Sequence, residues 1–352
     1  MERYIGIDVH AKSCTVAVVD PKGKRVGHHV LETNGKALIG CLRSIAGTCH
    51  LCIEEGTQSA WLYEILSPHV DDMTVMRVTE SRGQKSDERD AFALANRLRL
   101  GNIESRVYKD HGPYRKLREL ARAHLMIVGD SVRVQNRIKA FVRSRGVIVE
   151  GGAIYGQKGR EAYLKKVPEG TRVALSTMYS EHDSIAEIRA QAEANLVAEV
   201  RRHRISRVLQ TCPGIGPIRA AQLLPVVVTP HRFRTKRQFW SYCGLGVVMR
   251  SSADWIRDAS GKWQRSRVPS TRGLSESHNH QLKAIFKGAA TTVVTGLHED
   301  PLYADYKRMV DAGTKPNPAK LTLARKIAAI VLTMWKNEEV YAPEKYRKEL
   351  SA

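Results

Sequence analysis

Over the first hundred residues the apolar positions come in short blocks of strand length, and beyond Pro113 they fall three or four apart. Residues 3–9, 13–20 and 25–31 read as three short strands, with Pro21-Lys-Gly-Lys (21–24) supplying the turn between the second and third. A helix over 35–46, a strand over 49–55, a helix over 58–68, a strand over 73–78 and a helix over 86–100 follow. After Pro113 the series Leu117, Leu120, His124, Ile127, Ser131, Val134, Ile138 and Phe141 keeps a helical period, with Arg and Lys dense between its members. It predicts a long basic helix with a narrow apolar seam. Residues 146–180 are rich in glycine and predict an irregular connector. A second helix is expected from a cap near Ser184 through Ile185, Ile188, Ala192, Leu196 and Val200. Two such helices make a stalk, which either dimerises or packs on itself. Helices over 276–296, about 301–312 and from Pro318 through Val331 complete the pattern.

Composition narrows the function. The chain has 352 residues, 42% of them hydrophobic, so it has room for two or three domains with a substantial core. Its net charge of +21 points to a polyanionic partner, most simply nucleic acid. Only 6% of residues are aromatic, which argues against base stacking as the main mode of binding. Cys49-His-Leu-Cys52 is a lone CxxC inside a predicted strand, where its two thiols face opposite ways, and no second pair lies nearby to complete a zinc site. The six cysteines read as buried thiols of a reducing cytosol. The first residues run directly into a strand, and no apolar stretch is long enough to span a bilayer. A soluble, cytoplasmic protein is expected.

Four carboxylates carry the candidate chemistry. Asp8 closes Tyr-Ile-Gly-Ile-Asp (4–8), and Glu54 closes Leu-Cys-Ile-Glu (51–54). Asp87 and Asp90 stand at i, i+3 in Lys-Ser-Asp-Glu-Arg-Asp-Ala (85–91), on one face of a helix start. Acids that end buried strands need a cation or partner to offset their charge. Phosphodiester cleavage needs charge neutralised on the leaving oxygen, which two Mg²⁺ ions about 3.5–4 Å apart achieve with hard oxygen ligands. The acids suit Mg²⁺, and no histidine is expected beside them. Glu54 competes with Glu55, since strand alternation sends one inward and the other away; Glu54 is the choice. Lys85 and Arg89 flank the helix acids as phosphate contacts.

In the second half, Pro213-Gly-Ile-Gly216 followed by an Ala-rich helix resembles a helix-hairpin-helix. Gly214 and Gly216 would let the turn approach a phosphate, with free amides at the start of the next helix; a tight turn that binds nothing is the alternative. Residues 231–272 carry ten Lys or Arg against two Asp, interleaved with Phe233, Trp240, Trp255 and Trp263. That mixture predicts a nucleic-acid surface, with Arg250, Lys262 and Arg265 among its contacts.

Three strands in a meander followed by alternating helix and strand are similar to the ribonuclease-H-like fold, whose opening actin-like ATPases share. Their first phosphate loop wants Gly and Thr or Ser after the Asp, where this chain has Val9-His-Ala. Taken together, Tyr4-Ile-Gly-Ile-Asp-Val-His-Ala-Lys12, Glu54-Glu-Gly-Thr57, Lys85-Ser-Asp-Glu-Arg-Asp-Ala91, Pro213-Gly-Ile-Gly216, Trp240-Ser-Tyr-Cys-Gly-Leu245 with Ser251-Ser252, and Ala324-Arg-Lys-Ile-Ala328 resemble the DEDD transposases of bacterial and archaeal insertion sequences, which are bridge-RNA-guided DNA recombinases. The resemblance spans nearly the whole chain. It implies an α/β RuvC-like domain over 1–112, a helical coiled-coil stalk over 113–205 and a mostly helical transposase domain over 206–352. It implies a nucleoid-associated prokaryotic protein that excises and inserts its element through 5′-phosphoserine links. Asp8, Glu54, Asp87 and Asp90 would hold Mg²⁺, and Ser252 would be the nucleophile. The family usually has Pro soon after Gly-Leu and Gly after the serine, where this chain has Gly246-Val247 and Ala253, so Ser251 stays open beside Ser252. Double-stranded DNA, a non-coding guide RNA and further copies of the chain, as a dimer or tetramer, are the implied partners. A plain metal-dependent nuclease of the junction-resolving kind shares the acids but leaves residues 206–352 unexplained.

Overall fold

Strand β1 (Glu2–Val9) lies inside a six-stranded sheet of order β3-β2-β1-β4-β5-β6. It pairs antiparallel with β2 (Ser13–Val19), which pairs antiparallel with β3 (Arg25–Glu32). On its other side β1 runs parallel to β4 (Thr48–Glu54), and β4 parallel to β5 (Asp72–Met76). A two-residue strand, β6 (Arg106–Val107), closes that edge antiparallel. The computed structural model describes residues 1–78, 86–103, 106–107, 112–250, 255–265 and 271–347. The chain divides into two units, Met1–Asp110 and His111–Ala352.

Alternation along the central strands sorts their side chains onto two faces. Ile5 and Ile7, with Leu51, Ile53 and Val75, pack against Leu38 and Leu42 of α1 (Gly35–Ser44) and Leu62 and Leu66 of α2 (Ser59–Leu66). On the opposite face Cys52 and Met76 pack against Leu94 and Leu98 of α3 (Asp87–Arg99). Gly6 belongs to this face, pressed onto the backbone of α3. By parity Asp8 and Glu54, at the ends of β1 and β4, follow Gly6 and Cys52 to the α3 side. The strands and helices of this unit fall within a few residues of those expected. Cys49 and Cys52 are both buried in β4 and all six cysteines are free; burial pushes the Cys52 thiol up to about 12.

In the second unit α4 (Arg115–Arg143) and α6 (Glu169–Val200) lie antiparallel, tied by Lys116 to Glu199 at one end and by Arg137 to Glu181 further along. The seam of α4, including Leu117, His124, Val134 and Ile138, is buried. Within this chain, then, the stalk packs on itself. Its outer end has a core of its own, with Val134, Ile138, Ile154, Val167 and Leu175. Its inner end shares the main core with the C-terminal helices.

Two expectations are corrected here. The connector over 146–180 holds helix α5 (Gln157–Lys166), and α6 begins at Glu169 rather than near Ser184. Pro168 and Glu169 suit a helix start, and Leu175 and Tyr179 are buried on the additional turns. One glycine of this stretch has a packing use: a Cβ on Gly159 would lie 1.8 Å from the Ala153 carbonyl oxygen.

Helices α7 (Arg204–Gln210), α8 (Pro217–Val227) and α9 (Lys236–Tyr242) follow. Two ribbons come next that the sequence did not announce: β7 (Val247–Arg250) with β10 (Thr271–Leu274), and β8 (Trp255–Arg257) with β9 (Trp263–Arg265). Helix α10 (His280–Gly296) starts four residues later than expected, where Asn279 caps it. Helices α11 (Pro301–Asp311), α12 (Pro316–Asn337) and α13 (Pro343–Arg347) end the described chain. Among the described residues no helix is long and apolar enough to cross a membrane.

Candidate functional site

The connections from β1 and β4 leave in opposite directions, β1 towards β2 and β4 towards β5. Such a reversal opens a crevice beyond the carboxyl ends of the two parallel strands, the usual place for a ligand in an open α/β sheet. Asp8 and Glu54 stand at those ends, and both line a cleft of about 200 Å³ together with His10, Glu55, Thr57 and Gln58. Asp87 enters from the first turn of α3, where Ser86 caps the helix by accepting from the Arg89 amide. Asp87, Glu88 and Asp90 all suit the positive end of that helix. Glu88 is committed elsewhere, paired with Arg25, whose guanidinium also lies 4.2 Å from the Phe92 ring centre. That contact fixes the helix start on β3.

The expectation that no histidine lies beside the acids is overturned. His10 Nε2 sits 3.2 Å from Asp8 Oδ2 and 3.3 Å from Asp87 Oδ1, and the three donor atoms lie within 4.8 Å of one another. The turn that carries His10 is pinned, since its amide donates to the Ser13 carbonyl and its own carbonyl accepts from Thr33 Oγ1 at 2.8 Å. Burial pushes the Asp8 carboxyl above the usual range; His10 opposes this, while the charges of Asp87 and Asp90 add to it. Two carboxylate oxygens and an imidazole nitrogen at this spacing can hold a divalent cation.

Glu55, the rival of Glu54, has its carboxylate on Arg77, with Oε2 2.9 Å from Nη2. Asp90 stands outside the tight group of donor atoms but close enough for its charge to raise Asp8. Lys85, Ser251 and Ser252 lie outside the described residues, as do the side chains of Arg250 and Arg265.

Gly214 and Gly216 form the turn between α7 and α8. Gly214 has φ +79°, and a Cβ there would lie 2.5 Å from the Ala289 carbonyl oxygen of α10. The close approach at this glycine is therefore between two parts of the protein. Gly216 opens onto free space ahead of the first amides of α8. Arg219 clasps the turn, donating to the Gly214 carbonyl at 2.6 Å and to Thr292 Oγ1 at 3.0 Å.

The aromatics of 231–272 divide into two groups. Phe233 is buried against Phe239, and Trp240 donates its indole N–H to the Arg325 carbonyl at 2.8 Å, so these two belong to the core. Trp255 and Trp263 are exposed beside exposed Lys262. A groove of about 540 Å³ lined by Lys283, Lys287 and Lys320 adds a basic surface that the sequence reading passed over, because its lysines come from two helices far apart in the chain.

Two family models match the chain. Residues 5–145 match a family model of transposases of the DEDD, IS110 type, a span that holds Asp8, Glu54, Asp87 and Asp90. Residues 206–307 match the model described as the transposase IS116/IS110/IS902 family, a span that holds the Gly214 turn and both ribbons. No curated protein matches the chain.

Proposed function

Because this chain belongs to the IS116/IS110/IS902 family of transposases, we propose that it cuts and rejoins DNA by guide-RNA-directed strand exchange, with Asp8, Glu54, Asp87 and Asp90 as its acidic centre and Ser252 as its nucleophile. The observation that carries the reading is the convergence of Asp8 and Asp87 on one point beyond the sheet's strand ends, with Glu54 lining the same cleft. The acids would hold Mg²⁺, which when bound neutralises charge at the phosphate and orients its oxygens. Asp8 and Glu54 are fixed by strand ends and Asp87 and Asp90 by a capped helix, so the set is held by rigid elements rather than by loops. His10 would keep Asp8 and Asp87 at working distance before an ion arrives.

The serine hydroxyl attacks the scissile phosphorus, the bond from phosphorus to the 3′ oxygen breaks, and a 3′ hydroxyl leaves with the serine proton. The resulting 5′-phosphoserine is reversed when a 3′ hydroxyl of the exchanged strand attacks in turn. A serine needs a base or a metal to become a nucleophile; the residues within a few positions of Ser252 supply no histidine. Activation would come from an acidic centre, with several copies of the chain assembling each site. Cations along 231–272, Lys262 and Arg265 among them, would neutralise the phosphates as charge develops.

The test is to mix purified protein, RNA transcribed from the DNA flanking its gene, and element-end DNA with Mg²⁺. A covalent protein–DNA adduct mapping to Ser252 is expected, and Asp8→Ala or Asp87→Ala should abolish cleavage while RNA binding persists. An adduct on Ser251 would move the nucleophile by one residue. Cleavage with no adduct would replace this reading with a plain metal-dependent nuclease.

A further inference from the structure

The ribbon of β8 and β9 is built unlike the rest of its unit. Trp255, Ile256 and Arg257 are all exposed, so neither face of the strand is held against the core. A two-stranded ribbon without such support is marginal in water, and here the turn supplies rigidity. One Asp258 oxygen accepts from the Ser260 amide, the Ser260 hydroxyl and the Lys262 amide, and Gly261 takes φ +80° to complete the reversal.

Register decides which side chains share a face. Trp255 and Arg257 are two apart on β8, and Trp263 stands directly opposite Arg257. One face therefore presents Trp255, Arg257 and Trp263 together, with the Arg257 guanidinium 5.0 Å from the Trp263 ring centre. Trp255 is 58% exposed and Trp263 57% exposed. Large rings are normally kept inside, and two of them on one side of a protruding ribbon mark a binding surface. Their spacing by a cation suits a strand of nucleic acid whose bases lie flat on the rings while its phosphates meet Arg257. Duplex DNA offers no exposed base faces to such rings, because its bases are stacked on one another.

We propose that the β8–β9 ribbon is a stacking platform for unpaired nucleotides of the DNA substrate. DNA is the occupant because the chain is a DNA transposase, and strand exchange must free bases from the duplex near the cut. The inference rests on DNA being the substrate and not on the metal or serine chemistry, so it can fail while those stand.

Anisotropy of labelled oligo(dT), oligo(U) and a duplex of equal length, each titrated with the full chain, tests it. Trp263→Ala should weaken oligo(dT) binding about tenfold, the effect of losing one stacked base, and should leave the duplex unaffected; Trp263→Phe should keep most of the affinity. Both side chains are exposed, so an unchanged thermal melt is expected of every variant. Equal losses on duplex and oligo(dT) would reduce the ribbon to a phosphate contact, and a loss on oligo(U) alone would assign it to RNA. Unchanged affinities with altered self-association by light scattering would make it a contact between copies of the chain. Any of these three results overturns the proposal.

Discussion

Gly6 and Ala91 meet so closely that a Cβ on residue 6 would fall 2.0 Å from the Ala91 carbonyl oxygen, with the Ala95 amide nitrogen only 2.6 Å away. Both obstacles are helix backbone and cannot turn aside as a side chain could. The missing Cβ lets α3 lie directly on β1, two residues before Asp8, and so sets the distance between the acid of the strand and the acids of the helix.

Gly6→Ala should therefore act on stability and on the site together. Overpacking of this kind costs about 1–3 kcal/mol, and relief requires α3 to lift away from the sheet with Asp87 and Asp90 on it. Denaturant unfolding is expected to show the loss, and calorimetric titration with Mg²⁺ under folding conditions to show weakened binding. Unchanged metal affinity in a destabilised variant would mean that α3 does not position the acids.

His10 gives a second prediction. Its imidazole is the one cation-forming group set between Asp8 and Asp87 in the described structure. His10→Ala should leave the two carboxylates facing one another and push the Asp8 carboxyl further up. The metal-free variant is expected to melt below the parent at pH 7 by at most about 1 kcal/mol, since His10 is half exposed. Saturating Mg²⁺ should stabilise it more than it stabilises the parent, because the ion then meets uncompensated charge. An equal Mg²⁺-induced shift in variant and parent would show that His10 does not bridge these acids.

A third prediction concerns the docking of α5 on α6. Arg160 donates both terminal nitrogens to Asp183, at 2.6 and 2.5 Å, and holds its carboxyl down at about 2 against an ordinary 3.8. A carboxyl lowered on folding adds stability that is complete above its unfolded value and disappears as pH falls through the folded one. Asp183→Asn should cost up to about 1 kcal/mol at pH 7, limited by the exposure of the carboxylate. The difference from the parent should shrink between pH 4 and pH 2 and vanish below. A difference that persists at the acid end would trace to packing instead of charge.

The first unit was legible because its central strands bury both faces and its helices bury one. Alternation through Ile5, Gly6, Ile7 and Asp8 states both the strand and the side on which its acid emerges. His10 was not legible, since a side chain in the turn after a strand has no period to follow and its aim depends on the Ser13 and Thr33 hydrogen bonds. The start of α6 was hidden by Gly170, Thr171 and Ser176, poor helix formers whose positions are settled by Leu175 and Tyr179 docking on α4. The β8–β9 ribbon was hidden by brevity, three residues a strand, too few to show alternation. Of the aromatics, nothing in the local sequence separates Trp240, whose partner Arg325 lies 85 residues away, from Trp263, which stays exposed.

The Gly214 turn gives the last prediction, because its two glycines do different work. Residue 214 needs a positive φ and has the Ala289 backbone at contact, while residue 216 has an extended backbone and open space beside it. Gly214→Ala must strain the backbone and part α8 from α10, and should cost several kcal/mol, enough to lower soluble yield and Tm. Gly216→Ala should fold as the parent does. If the amides at the start of α8 receive a DNA phosphate, the added methyl stands in the approach and should weaken duplex binding with a smaller salt slope, as the loss of one phosphate contact requires. A Gly216→Ala protein that folds normally and binds duplex with parental affinity and salt slope would make this segment a tight turn between helices and nothing more.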